Sequence, residues 1–153
     1  MMITLIYATY SNSTFLASEL LSKELTANGH TVALHTAAEA TLELLQQSEL
    51  LIFASPSWDY NGEQGMPHED FTALQARLSD ASLNNKLIAV MALGDSSFTY
   101  FCGAADHLST WLAEKGGKEV IAPLKIDQYY ANEQAAQQQI ADWSKALHSK
   151  IVS

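Results

Sequence analysis

A single cysteine, Cys102, in 153 residues excludes an internal disulfide and every metal or iron–sulfur site built on several cysteines. Basic residues are scarce. Eight lysines and arginines stand against 17 aspartates and glutamates, a formal net charge of −9. That balance argues against a nucleic-acid backbone or an anionic membrane surface as partner. No apolar run approaches the roughly 20 residues of a membrane-spanning helix. Met1-Met2-Ile3-Thr4-Leu5 carries neither a basic stretch nor a small-residue cleavage site. No signal peptide is expected, and a reducing, cytoplasmic setting is. The five histidines, His30, His35, His68, His107 and His148, show no metal-ligand spacing. There is no linker, charge block or internal repeat, so one domain over residues 1–153 is expected. The run Gln137-Gln138-Gln139 sits inside a helical pattern and reads as a solvated face.

What is present is a globular composition, 48% hydrophobic and 16% charged, in which strand and helix patterns alternate. Ile3–Ala8 is short and apolar, a first strand. Phe15, Ala17, Leu20, Leu21 and Leu25 recur at helical spacing until Asn28-Gly29 stops the helix. Thr31–His35 reads as a second strand and Ala37–Gln47 as a helix. Leu50–Ala54 and Leu87–Leu93 are continuous apolar runs, the mark of strands covered on both faces. Between them lie a long loop, Ser55–Pro67, and a helix stripe of Phe71, Leu74 and Leu78. After a second loop, Gly94–Gly103, come a helix through Leu108, Trp111 and Leu112, and a strand in Val120–Ile126 interrupted by Pro123. A final helix runs over Asn132–Ile151 with Ile140, Trp143 and Leu147 inward. Trp111 and Trp143 read as core residues. Five strands alternating with five helices predict a parallel sheet with helices on both faces. Ligands then sit beyond the carboxyl ends of the strands. The loops Thr9–Thr14, Ser55–Pro67 and Gly94–Gly103 all lie at such ends.

Thr9-Tyr10-Ser11-Asn12-Ser13-Thr14 packs four aliphatic hydroxyls, a phenol and one amide into six residues directly before a helix. A helix N-terminus offers unpaired amides to an anion. The first basic residue of the chain is Lys23, so only neutral donors serve that anion. With no Gly-x-x-x-x-Gly-Lys and no Gly-x-Gly-x-x-Gly, neither a nucleoside triphosphate with magnesium nor a dinucleotide fits. A monophosphate fits better; an ordinary Ser/Thr helix cap is the plain alternative. Ser55-Pro56-Ser57-Trp58-Asp59-Tyr60-Asn61-Gly62 and Gly94-Asp95-Ser96-Ser97-Phe98-Thr99-Tyr100-Phe101-Cys102-Gly103 set large aromatics at the same edge. Two such loops could hold a planar ring, or each could pack on the core or meet another protein.

On these residues the chain resembles the short-chain flavodoxins over essentially its whole length. Gly94–Ala104 is similar to the family's second flavin loop almost residue for residue, and Thr9–Thr14 to its phosphate loop, usually Thr/Ser-x-Thr-Gly-Asn-Thr. Trp58 falls at the first ring-stacking aromatic. The insertion that splits the last strand of long-chain members is absent between Val120 and Asp127. The resemblance implies a flavodoxin-like sheet of five parallel strands in the order 2-1-3-4-5. It also implies one non-covalent FMN, and low-potential, one-electron transfer as the activity. It places the 5′-phosphate on Thr9, Ser11, Asn12, Ser13 and Thr14, with Tyr10 among the cofactor's neighbours, and the inner ring face on Trp58. The outer face falls to Phe98, and the pyrimidine edge to the backbones of Asp95, Tyr100 and Cys102. Ser55, Pro56, Ser57, Asp59, Tyr60, Gly62, Leu93, Gly94 and Phe101 complete the expected surround.

Three residues depart from the pattern. Asn12 replaces a glycine, and asparagine tolerates a left-handed backbone better than most residues. Phe98 replaces a tyrosine, and Asp59-Tyr60 stands where many members carry glycine. The acidic surface implies basic redox partners: a flavin-containing NADP reductase as donor and iron–sulfur or haem proteins as acceptors, met by a monomer. The enzyme-class alternative is a flavodoxin-like NAD(P)H-dependent quinone or flavin reductase, for whose nicotinamide pocket no extra segment is visible. A phosphoacceptor receiver domain is excluded: it needs acidic residues after the first and third strands, where this chain has Thr9-Tyr10 and Ser55-Pro56. Cys102 reads as structural, His68-Glu69-Asp70 as a helix-start cluster, and Tyr129-Tyr130 as a packed loop.

Overall fold

The computed structural model describes residues 1–60, 63–97 and 101–152. Strands β1 (Met2–Tyr7), β2 (Thr31–Thr36), β3 (Leu50–Pro56) and β6 (Leu87–Gly94) form one parallel sheet. The last edge is shared by β7 (Lys118–Glu119) and β8 (Leu124–Asp127), both paired with β6. The order β2-β1-β3-β6-β7/β8 is the expected 2-1-3-4-5, its fifth position split in two. Pro123 accounts for the split: a proline cannot donate to a ladder, so pairing lapses and resumes at Leu124. Helices α1 (Ser13–Ala27) and α5 (Glu133–Val152) cover one face. Helices α2 (Leu42–Gln47), α3 (Glu69–Arg77) and α4 (Gly103–Glu114) belong to the other. The core is accordingly two apolar layers. Leu21, Leu25, Ile140, Trp143 and Leu147 meet Leu5, Ile52 and Met91 on the first face. Phe71, Leu74, Leu108 and Leu112 meet Ile6, Phe53 and Val90 on the second. β3 and β6 are buried along nearly their whole length, as continuous apolar runs require.

Two elements differ from expectation. The helix expected over Ala37–Gln47 begins only at Leu42, because Thr41 Oγ1 accepts the Leu44 amide at 3.2 Å and caps it there. The preceding turn is held instead by Arg77, whose guanidinium donates to the carbonyls of Ala37 at 2.9 Å and Ala40 at 3.2 Å. Inside Ser55–Pro67, expected to be a loop, β4 (Trp58–Tyr60) and β5 (Glu63–Met66) pair as an antiparallel hairpin. Among the described residues no helix is long and apolar enough to cross a membrane, and no three His, Cys, Asp or Glu side chains gather as metal ligands.

A histidine pair, buried His30 and half-buried His148, ties the two ends of the first face. His30 Nε2 lies 2.9 Å from His148 Nδ1, so one ring donates and the other accepts, and at least one is neutral. Burial first, then the N-terminal ammonium and His148, hold His30 below the ordinary imidazole range. A depressed folded pKa contributes stability that is present above the unfolded value and lost as the pH falls through the folded one. Thermal unfolding is therefore expected to be flat above about pH 7 and to move to lower temperature as the pH falls below about 6.5. In His30→Gln that part of the slope should vanish; an unchanged slope would show that other groups set it.

Candidate functional site

The carboxyl ends of β1, β3, β6 and β8 lie side by side, and four segments converge there. The first is the turn from β1 into α1. Asn12 adopts φ 74° and is the N-cap residue of α1, yet its side chain makes no capping hydrogen bond. A side-chain cap is thereby ruled out, and the first amides of α1 are left to a ligand or solvent. Thr14 is fully buried. Its Oγ1 and that of Thr9 have no hydrogen-bond partner among the described residues, an expensive condition for a hydroxyl. Ser11 Oγ and Ser13 Oγ stand 3.5 Å apart at the mouth. Four hydroxyls, those of Thr9, Ser11, Ser13 and Thr14, thus stand on one turn with no cation in the segment.

The second segment is the β4–β5 hairpin. Trp58 pairs with Met66, and it is 48% exposed, leaving a broad apolar ring open to solvent or a ligand. The ring of Tyr10, from the first segment, lies 4.8 Å from it at 40°. Tyr10 itself stacks on His68 at 4.0 Å and 23°, and its hydroxyl donates to Glu69 Oε2 at 2.5 Å. Partial burial, then the Glu69 carboxylate, push the Tyr10 phenol up to about 12, so it remains a donor. His68 is the N-cap of α3 and accepts the Asp70 amide on Nδ1 at 3.0 Å, the helix-start role expected of His68-Glu69-Asp70. Tyr10, itself held by His68 and Glu69, thus braces the Trp58 ring from the first segment.

The third segment follows β6. It is pinned to the second: Ser57 N donates to the Leu93 carbonyl at 2.7 Å, and Ser57 Oγ accepts the Ala104 amide at 3.0 Å. Close approach demands two glycines here. A Cβ on Gly94 would meet Cys102 Sγ at 3.0 Å and N at 3.2 Å; one on Gly103 would meet Gly65 Cα and O at 2.9 Å. Asp95 Oδ1 accepts the Ser97 amide at 2.8 Å and Gln128 Nε2 at 3.1 Å. Those bonds, led by Ser97, hold its carboxyl below the usual range.

The side chains of Ser55, Phe101 and Cys102 make structural contacts. The Ser55 hydroxyl is buried, accepting the His68 amide at 2.9 Å and donating to the Pro56 carbonyl at 2.8 Å. Phe101 packs against the core of the α3/α4 face. Cys102 is buried at the N-cap of α4 with φ 50°, and its backbone alone is at the site's edge. Gly62, Phe98 and Tyr100 lie outside the described residues, as do the side chains of Asp59 and Tyr60. Burial also pushes the Cys102 thiol up to about 12. At about pH 8 the native protein is expected to react with an aromatic disulfide reagent orders of magnitude more slowly than the unfolded chain does. Equal rates would mean that Cys102 opens to solvent.

The fourth segment, Asp127–Ala131, was missed in the sequence. Ser96 donates to Asp127 twice, from N to Oδ1 at 2.8 Å and from Oγ to Oδ2 at 2.7 Å. Gln128, at φ 45°, donates its amide to the Gly94 carbonyl at 2.8 Å. Tyr129 is packed as expected, but Tyr130 is 53% exposed and its hydroxyl donates to the Ser11 carbonyl. A cavity of about 360 Å³ lies between the first, third and fourth segments and the end of β3. It is bounded by Ser13, Pro56 and Ser57, Leu93 and Gly94, and Gln128–Ala131. The signal was available: the segment stands at the carboxyl end of the last strand, the same position that drew attention to the other three.

Comparison with known proteins follows the same line. The flavodoxin family model matches residues 5–143. The flavodoxin of Maridesulfovibrio salexigens is 26% identical over 149 residues, 96% of this chain and 97% of that one. Among solved structures, oxidised flavodoxin 2 of Bacillus cereus superposes with a TM-score of 0.86 at 25% identity, covering 98% and 99% of the two chains. The flavodoxin of Fusobacterium nucleatum, solved bound to flavin mononucleotide, gives 0.82 at 19% identity over 97% of each chain.

Proposed function

Since the chain belongs to the flavodoxin family, and so is an FMN-binding electron carrier rather than an enzyme, we propose that its FMN lies across the four segments just described. The observation that carries the placement is the pair of buried, unpartnered hydroxyls of Thr9 and Thr14 beside an uncapped helix N-terminus. A phosphate monoester brings three strong acceptor oxygens to donors that otherwise have none. In this reading Thr9, Ser11, Ser13 and Thr14 hold the 5′-phosphate, with Asn12 supplying the left-handed turn. Pro56 and Ser57 flank the ribityl chain. Trp58 covers the inner ring face and Phe98 the outer one. The backbones of Asp95, Tyr100 and Cys102 meet the pyrimidine edge.

FMN supplies the redox chemistry; the chain's residues bind it, exclude water and set its electrostatics. Glu69, Asp70, Asp95 and Asp127 border the site, and Asp106 is partly offset by Lys125 at 3.5 Å. At an effective dielectric of about 20, a carboxylate about 10 Å from an added negative charge costs it roughly 1–2 kcal/mol before salt screening. Several together favour a strong one-electron donor.

The partners are redox proteins. We propose a basic, flavin-containing NADP reductase on the donor side and iron–sulfur or haem proteins on the acceptor side, reached by a monomer in the cytoplasm. The acidic excess supports this through steering. The test is spectroscopic. The purified protein should be yellow, or should quench added FMN with one-to-one stoichiometry, and should not oxidise NAD(P)H alone. Its reduction by such a reductase should slow several-fold as ionic strength rises. A colourless protein that leaves FMN fluorescence unchanged would end this reading; a salt-independent rate would remove the partner assignment alone.

A further inference from the structure

We propose that Tyr130 is a phosphate-binding residue of this site, its hydroxyl leaving the Ser11 carbonyl to donate to the FMN 5′-phosphate; the proposal rests on the FMN reading above. The reasoning begins with charge. The phosphate ester carries about −1.5 to −2 at pH 7, and Thr9–Thr14 offers it no cation in a chain of net charge −9. Each additional neutral donor therefore matters. Tyr130 and Ser13 both line the 360 Å³ cavity. It reaches the phosphate loop from the far end of the chain to donate to Ser11.

Its position is built rather than incidental. Tyr129 is buried beneath it, with the two rings edge-on at 5.6 Å and 82°. The turn at Gln128 is closed by Ala131 N donating to the Gln128 carbonyl at 3.0 Å and is tied to Gly94. The Tyr130 ring is half exposed, so its hydroxyl stands open to a ligand. Ser11 is exposed as well, so water can take over the carbonyl that Tyr130 leaves. The exchange is favourable because a hydrogen bond to an ionised acceptor is about twice as strong as one to a neutral carbonyl. The difference corresponds to about tenfold in Kd.

The experiment compares the full chain with Tyr130→Phe, both freed of flavin. Each is titrated with FMN and with riboflavin by fluorescence quenching, and the phosphorus-31 resonance of bound FMN is recorded. The proposal expects Tyr130→Phe to weaken FMN about tenfold, to leave riboflavin affinity unchanged, and to move the phosphorus resonance. An unchanged FMN affinity overturns it, as does an equal loss for both flavins. A lower FMN affinity with an unmoved phosphorus resonance also overturns it, since Tyr130 would then only brace Ser11. A wild-type chain that binds neither flavin would remove the FMN reading itself. Normal binding by the wild type with no effect in Tyr130→Phe removes the Tyr130 proposal alone. An unchanged melting temperature in the variant establishes that the fold is intact.

Discussion

Thr14→Val is expected to make the flavin-free protein more stable while weakening its hold on FMN. The two effects have one cause. Thr14 Oγ1 is buried without a partner, and a desolvated, unpaired hydroxyl costs about 1–3 kcal/mol. Valine has nearly the same shape and no such group. The flavin-free variant should gain on the order of 1 kcal/mol, or a rise of roughly 2–4 °C in melting temperature for a chain of this size. In the complex the same hydroxyl donates to an anion, a bond worth about 1.5–3 kcal/mol, so FMN affinity should fall about 10- to 100-fold. Riboflavin, which lacks the phosphate, should bind both proteins equally. Melting curves and parallel titrations decide the matter. If the variant is less stable and binds FMN as before, Thr14 is a packing residue and the phosphate lies elsewhere.

The second large effect is expected at Trp58. Stacking on an aromatic side chain is worth about 1–3 kcal/mol per ring, so Trp58→Ala should weaken FMN by about 30-fold. Because Trp58 is 48% exposed, stability without flavin should change little. The structure adds a dependence that stacking alone would not suggest. The Tyr10 ring sits 4.8 Å from the indole and is itself braced by His68 and Glu69. Tyr10→Ala should therefore cost affinity too, by about fivefold, whereas Tyr10→Phe, which keeps the ring, should cost less. Contacting residues that act together are not additive. The double variant should lose little more than Trp58→Ala alone. Strict additivity in the titrations would show that Tyr10 does not act through Trp58.

Some of the site was legible in residue order because the chemistry is local. Thr9–Thr14 precedes a helix, and that adjacency is visible without coordinates. The left-handed conformation at Asn12 follows from a residue type that accepts it. Trp58 and the two close-packed glycines, Gly94 and Gly103, stand in loops whose composition announces contact with something. Other features were hidden because they depend on partners remote in the chain. The Ser55 hydroxyl looked free for a ligand, but the His68 amide, 13 residues on, takes it. Phe101 looked like part of an aromatic ligand surface, but α4 carries it to the core. The hairpin within Ser55–Pro67 lacked an alternating apolar pattern; its β4 and β5 strands pair through backbone, which composition does not report.

Residue order by itself determined the strand–helix alternation, the two-sided burial of β3 and β6, and the uncharged nature of the Thr9–Thr14 loop. It also determined which strand ends carry chemistry. All of these follow from periodicity and from the identity of neighbours. Tertiary structure alone decided that Tyr10 would steady Trp58, and that Asp127–Ala131 would close the site. Tyr130 and Ser11 are separated by 119 residues. They meet because the sheet sets the last strand and the first turn on one edge, a relation that exists only once every strand has found its place.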